Sequence, residues 1–340
     1  MHARFAKMRP MLFSMLLFLL AIGVILGGAA VFTNGVEWMG RRLGISDGAI
    51  GSILAGVATA LPETLIPVIA IFFGDSKAEA DIGTGAILGA PLMLSTLTIP
   101  LMAGFLLLLA RMRKRADHFT LDYHAVRLDL NFFLPAYAVA FLVAFMPIPA
   151  LRYAAAAGLF LMYLWYVKIH LASGEVSETE LEPLYFARKV GHPATALVTA
   201  QAVVGLGMLI GGAHLFVHAV GDVALGMGVS PLILSLLVAP IATELPEKMN
   251  SLLWIYQKKD TLAVGNITGA MVFQGTFPVS VGLLGTGWNL DQASLISVTL
   301  PIVATAFLLA LIHTTGKWQP RMLVLPAFLY AGYIAYLFLR

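Results

Sequence analysis

Apolar runs long enough to cross about 30 Å of hydrocarbon recur roughly ten times in this chain. They fall near residues 10–33, 48–73, 83–110, 130–148, 151–173, 194–220, 229–257, 263–285, 292–313 and 322–339. In lipid every backbone N–H and C=O must be satisfied inside the structure, so spans of this kind are read as helices. Composition agrees, since 59% of the residues are hydrophobic and 11% charged, about half the charge of a soluble domain. The expected fold is an all-α membrane protein of ten transmembrane helices. The run from Met11 to Phe32 is too long for the apolar core of a secretion signal, so it counts as the first span.

The same features exclude several classes. A soluble enzyme is ruled out by composition, and neither a nucleotide-binding loop nor a catalytic triad is present. The formal charge is only +3 and the basic residues lie in loops, which gives no reason to expect a nucleic-acid partner. With no cysteine, disulfides and thiolate metal sites are absent.

Basic residues set the expected orientation. The loops after spans 1, 3, 5, 7 and 9, with the span ends beside them, hold fourteen of them, among them Arg41, Arg42, Arg113, Lys114, Arg115, Lys258 and Lys259. The termini and the other loops hold six. The positive-inside rule places the odd loops in the cytoplasm and both termini outside, in a cell inner membrane. Residues 173–193, with Glu175, Glu178, Glu180 and Glu182, form the one polar, acidic stretch. They read as a solvated cytoplasmic linker between two five-span halves, 1–172 and 194–340.

Those halves are related. A gapless shift of 184 residues aligns Gly27, Gly28, Ala29 and Phe32 with Gly211, Gly212, Ala213 and Phe216. It also aligns Ala58, Thr59, Leu61, Pro62 and Glu63 with Ala242, Thr243, Leu245, Pro246 and Glu247, and Thr84, Gly85 and Ala86 with Thr268, Gly269 and Ala270. An odd number of spans per half makes the second half enter from the opposite side. The expectation is an inverted-topology repeat, with sites near the midplane where the halves meet.

The chemistry lies in AGVATALPET (55–64) and APIATELPEK (239–248). Glu63, Glu244 and Glu247 fall in mid-span, where a carboxyl costs several kcal/mol unless it faces a polar cavity or a partner. Thr59 and Glu63 are four residues apart and share a helix face, as do Thr243 and Glu247. Pro62 and Pro246 remove the donors for the carbonyls of Ala58 and Ala242, and Pro240 does so for Leu236. The expected ligand set is therefore Glu63, Glu247, Glu244, Thr59, Thr243, the carbonyls of Ala58 and Ala242, and Gln274. Carboxylates, hydroxyls and carbonyls without thiols or imidazoles select hard cations. The helices are expected to break around Pro62 and Pro246.

These segments resemble the alpha-repeats of the cation/calcium exchanger superfamily, which includes the sodium/calcium exchangers. Its pattern is Gly-Thr-Ser-x-Pro-Glu in the second and seventh helices, followed by Gly-Ser-Asn-x-x-Asn, or an Asp-bearing variant, in the third and eighth. The resemblance implies a ten-helix exchanger in which Thr59, Glu63, Thr243 and Glu247 coordinate calcium and sodium, and the chain reads as a divergent prokaryotic member. It departs from the pattern at Ile87 and Met271, where the central Asn or Asp would stand, and at Ala90 and Gln274 in the second Asn position. It gains Glu244 at a Ser position.

The implied function is secondary antiport of calcium or another hard cation for sodium or protons, with inorganic cations and the lipid bilayer as partners and no cofactor. The alternative is a non-transporting membrane subunit or scaffold with a degenerate site. Protons are expected to compete with the cation among three converging carboxylates, with Glu244 as their carrier. Lys248 either snorkels, pairs with a carboxylate or acts as an internal cation. His214 and His218 read as core or interfacial residues rather than a metal pair. Asp81 and Asn266 read as helix caps. The glycines at 23, 27, 28, 205, 207, 211 and 212 suggest close contact between spans 1 and 6.

Overall fold

A computed structural model describes residues 2–43, 60–146, 148–172 and 182–339. Thr59 and Ala58, with the first part of the expected second span, lie outside the described residues, as do 173–181 of the linker. The described residues form helices joined by turns and loops, with no strand among them. In order these are α1 (His2–Arg42), α2 (Leu61–Phe72), α3 (Lys77–Arg111), α4 (Tyr123–Val143), α5 (Pro149–Ala172), α6 (Thr195–Met227), α7 (Pro231–Tyr256), α8 (Asp260–Gly285), α9 (Gln292–Thr315) and α10 (Pro326–Phe338). A short turn, Pro320–Leu323, precedes α10.

Eight of the described helices are long and apolar enough to cross a membrane, the last of them counted with the turn before α10. α2 and the stretch Pro231–Leu245 of α7 are shorter apolar segments. Large apolar side chains face outward, including Leu12, Leu16 and Leu19 on α1 and Leu161 on α5, while Asp129, Gln201, Glu244 and Thr268 are buried. Lipid-facing apolar residues around buried polar ones mark a multi-pass membrane protein.

The chain divides into two compact units. The first comprises residues 1–83 and 165–235, the second 84–164 and 236–340.

In the first unit, α1 and α6 lie side by side. Phe18 stacks at a tilt near Phe216, with ring centroids 5.5 Å apart. Ser14 Oγ donates to Asp222 Oδ2 at 3.4 Å, and Trp38 packs with Val198. Residue numbers rise along one helix as they fall along the other, so the two run antiparallel. The contacts are also reciprocal under the 184-residue offset. A Cβ on Gly28 would meet Met208 Cβ at 2.9 Å and Leu209 N at 3.0 Å. One on Gly212 would meet Ile25 Cγ1 at 2.9 Å and Val24 Cγ1 at 3.2 Å. A Cβ on Gly205 would meet Phe32 N at 2.5 Å, and one on Gly35 would meet Ala202 N at 3.0 Å. Gly23, Gly207 and Gly211, also expected in this contact, have nothing within 4 Å of a Cβ. They are on other faces of the helices.

Most of the described end of the linker, residues 182–193, is exposed, but it is anchored at Leu184. Leu184 is fully buried and Tyr185–Ala187 form a 3₁₀ turn. Trp38 Nε1 donates to the Glu182 carbonyl at 2.9 Å, and Asn34 Oδ1 accepts from Tyr185 N at 3.1 Å. Gln201 donates to Asn34 Oδ1 at 2.9 Å and accepts from Phe186 N at 2.9 Å. Backbone groups entering a buried place need partners, and Asn34, Trp38 and Gln201 supply them.

In the second unit, Arg115 and Asp260 form a buried ion pair, Nη2 to Oδ2 at 2.6 Å and Nη1 to Oδ1 at 2.8 Å. Asp260 also accepts from Thr120 N at 2.9 Å. The pair fixes the α3–α4 loop to the start of α8. α4 packs against α8 and α9, with Phe133 stacked on Tyr137 at 5.1 Å and Trp288 Nε1 donating to the Ala140 carbonyl at 2.9 Å. Within α3 the residues Leu94–Thr98 widen to a π turn. Ser95 Oγ takes the Pro91 carbonyl at 2.7 Å and Thr96 Oγ1 the Leu92 carbonyl at 2.5 Å. Hydroxyls that occupy carbonyls in this way loosen the helical ladder.

Candidate cation site

In the first unit Glu63 stands in the first turn of α2, three residues after the N-cap Ala60, and is buried. Pro62 falls where the helix has a free N–H position to lose, so it costs nothing there. Thr64 Oγ1 donates back to the Ala60 carbonyl at 2.9 Å. What precedes Ala60, including Thr59, lies outside the described residues.

In the second unit the matching residues lie on α7. This helix is unbroken through both Pro240 and Pro246, contrary to the expected break. The prolines still remove two donors, and one freed carbonyl is accounted for: the Leu236 oxygen lies against Gly89 of α3, at the place a side chain would occupy. Leu236 thus serves helix packing, while Ala242 is a buried position on the same helix.

Thr243 and Glu244 are buried, and Glu247 is half-buried. Thr243 Oγ1 donates to the Ala239 carbonyl at 3.1 Å, which aims its lone pairs away from its own backbone. No described residue donates to the buried Oε2 of Glu247. Glu244 Oε2 lies 2.9 Å from Lys248 Nζ, four residues along the helix. Of the alternatives open for Lys248, the structure has it paired with a carboxylate.

Asn266 Nδ2 reaches from α8 to the Glu247 carbonyl at 3.3 Å and to Ser251 Oγ at 3.1 Å. It was expected to cap its helix, as was Asp81. Both are interior, because α8 begins at Asp260 and α3 at Lys77. The real start of α3 is a variant of the capping box, with Glu79 N donating to Ser76 Oγ at 3.3 Å and Glu79 Oε2 accepting from the N–H of Asp75, one residue earlier, at 2.6 Å. Glu79 Oε1 also lies 3.1 Å from His218 Nδ1, which gives that histidine a carboxylate partner.

Gln274 is buried on α8. Ile87 and Met271 are fully buried. Ile87 approaches Gly282, and a Cβ there would meet its Cδ1 at 2.9 Å, so this position serves packing.

Besides Asp260, a second buried acid escaped the sequence reading. Asp129 of α4 accepts a hydrogen bond from Thr268 Oγ1, the hydroxyl of the second motif on α8. The expected fourth span began at residue 130, one residue too late to include it, whereas α4 starts at Tyr123 behind an Asp122 cap. No group of three or more His, Asp or Glu side chains gathers within metal-binding reach among the described residues.

Residues 13–171 and 197–339 match the sequence model of the family described as sodium/calcium exchanger protein. The chain is 25% identical over 296 residues to CaxA of Alkalimonas amylolytica, named as a candidate antiporter, covering 84% of each protein. It is 24% identical over 314 residues to an uncharacterized membrane protein of Methanocaldococcus jannaschii, covering 89% of this chain and 91% of the relative. Among solved structures it resembles the H+/Ca2+ exchanger CAX with a TM-score of 0.74 at 16% identity, over 95% of this chain and 82% of that one. It also resembles the sodium-calcium exchanger NCX_Mj with a TM-score of 0.59 at 20% identity, over 96% and 98%. At these identities the structural likeness concerns the fold.

Proposed function

The chain belongs to the sodium/calcium exchanger protein family, and from that membership we propose that it is a secondary active antiporter. It exchanges calcium or another hard cation for sodium or protons by alternating access, as a cell inner-membrane protein with both termini outside. In this reading ten spans form two inverted five-helix halves, 1–172 and 194–340, joined by the linker 173–193. The sequence repeat pairs Glu63 with Glu247 and Thr59 with Thr243, and these carry the cation, with the carbonyls of Ala58 and Ala242 and the Gln274 amide as further ligands.

The observation that carries most weight is Glu247. Its buried Oε2 meets no donor among the described residues, on a helix that also presents the Thr243 hydroxyl four residues earlier. A carboxylate in that setting calls for a cation. The oxygen-only donor set suits calcium and sodium. Protons compete for the same carboxylates, which makes transport depend on pH.

The reading of a non-transporting subunit rests on Ile87 and Met271, which fill the third- and eighth-helix motif positions with packing residues. Calcium uptake into proteoliposomes under an imposed sodium or proton gradient decides between the two. Gradient-driven uptake supports the antiporter. Its absence under both gradients, with correctly folded protein, favours the scaffold.

A further inference from the structure

We propose that the Lys248 ammonium is a cation built into the protein, occupying a monovalent subsite that it shares with Glu244. This rests on the antiporter reading above and adds to it a limit on how many monovalent ions the site can take.

The geometry is that of a coordinated ion. A lysine ammonium has three donors; it donates to the Pro240 carbonyl at 3.3 Å and to Met93 Sδ at 3.1 Å, and it pairs in charge with Glu244 Oε2 at 2.9 Å. Snorkelling would carry the charge toward an end of the helix and into water. This side chain runs the other way. It reaches the carbonyl of a residue eight positions nearer the N-terminus, about 12 Å along the axis. Its partner carboxylate is buried at 2% exposure.

The repeat gives a second, independent argument. Under the 184-residue offset Glu244 corresponds to Ala60 and Lys248 to Thr64. The first half has neither charge, and Thr64 there bonds the Ala60 carbonyl instead. The second half therefore carries an extra acid together with an extra base on adjacent turns of one face. Added as a pair, they leave the formal charge of the motif unchanged. This conflicts with Glu244 as the proton carrier, because a carboxylate already matched by an ammonium does not need a proton to be neutralised.

The step is electrostatic and makes no bond. With Lys248 seated, Glu244 has no charge left to offer a sodium ion. With Lys248 neutralised by substitution, the vacated position has a carboxylate and a carbonyl, which are ligands for sodium.

The test uses the full-length protein, purified and reconstituted, as wild type, Glu244→Gln, Lys248→Gln and the double variant. Equilibrium binding of radioactive sodium should show one more ion per protein for Lys248→Gln than for wild type, and no additional ion for the double variant. Initial calcium uptake should fall about tenfold or more in each single variant, because each strands a buried charge. In the double variant it should exceed that of either single variant by about threefold or more. If the single variants do not fold, the same order is read from monodispersity in detergent, with the double variant recovering. An unchanged sodium count in Lys248→Gln overturns the proposal, since a merely structural pair would leave the count alone. A double variant as inactive as Glu244→Gln overturns it too, and restores Glu244 as a working ligand or proton carrier. Wild-type protein without uptake under either gradient overturns the antiporter reading, and this proposal falls with it.

Discussion

Gly89 of α3 lies so close to the Leu236 carbonyl oxygen of α7 that a single methyl group would overlap it. That carbonyl is the one left without its helical donor by Pro240. Glycine and proline therefore answer each other across the two helices. A Cβ would also meet Pro240 Cγ at 2.8 Å, and the obstruction is backbone, which cannot swing aside. Gly89→Ala should destabilise the protein by about 1–3 kcal/mol or more, read as a lower thermal midpoint in detergent. Gly104→Ala, with nothing within 4 Å, should not.

The reciprocal glycines of α1 and α6 make a matched prediction. Gly28→Leu and Gly212→Leu each push a side chain into the facing helix, so both should lower the thermal midpoint by similar amounts. Gly207→Ala and Gly211→Ala face open space and should be neutral or stabilise by up to about 1 kcal/mol through helix propensity. A large loss at Gly207 or Gly211 would count against the helix pairing described here.

The Arg115–Asp260 pair is buried on both sides, so removing one partner leaves a charge stranded. Arg115→Met should cost about 3–5 kcal/mol. The double change Arg115→Met with Asp260→Asn should recover part of that loss. Thermal unfolding of the wild type and the two variants checks it, and equal stability of all three proteins would show that the pair contributes nothing.

Much of this could be read from the sequence, for reasons that also explain what was missed. Hydropathy located the helices because lipid admits only apolar outer faces. It misplaced their ends because helices continue past the hydrocarbon into charged residues. α4 starts at Tyr123, so Asp129 is inside it. The starts of α3 and α8 likewise moved Asp81 and Asn266 from supposed caps into helix interiors. The repeat found Glu63 and Glu247, because a proline and an acid at fixed spacing survive in both halves. It could not assign Lys248, which has no counterpart to compare with and whose direction along α7 only coordinates reveal. Nor could it show that Leu184 is buried, since the hydrogen bonds that bury it come from Asn34, Trp38 and Gln201, distant in sequence.

Proton competition gives a prediction in solution. Where protons and calcium compete for the same carboxylates, initial uptake at fixed calcium should rise from mildly acidic to neutral pH, as the proton is the weaker competitor at higher pH. Raising calcium should shift the rise to lower pH. A pH profile that ignores calcium concentration would remove protons from the account.

The central claim is that Glu63 and Glu247 carry a transported cation. Its most direct measurement is calcium uptake into proteoliposomes by wild type, Glu63→Gln and Glu247→Gln under imposed sodium and proton gradients, with reconstituted protein quantified in each. Glutamine keeps the volume and removes the charge. The account predicts gradient-driven uptake by wild type and loss of uptake, by about a hundredfold or more, in both variants at undiminished protein levels. Wild-type rates in either variant would contradict it.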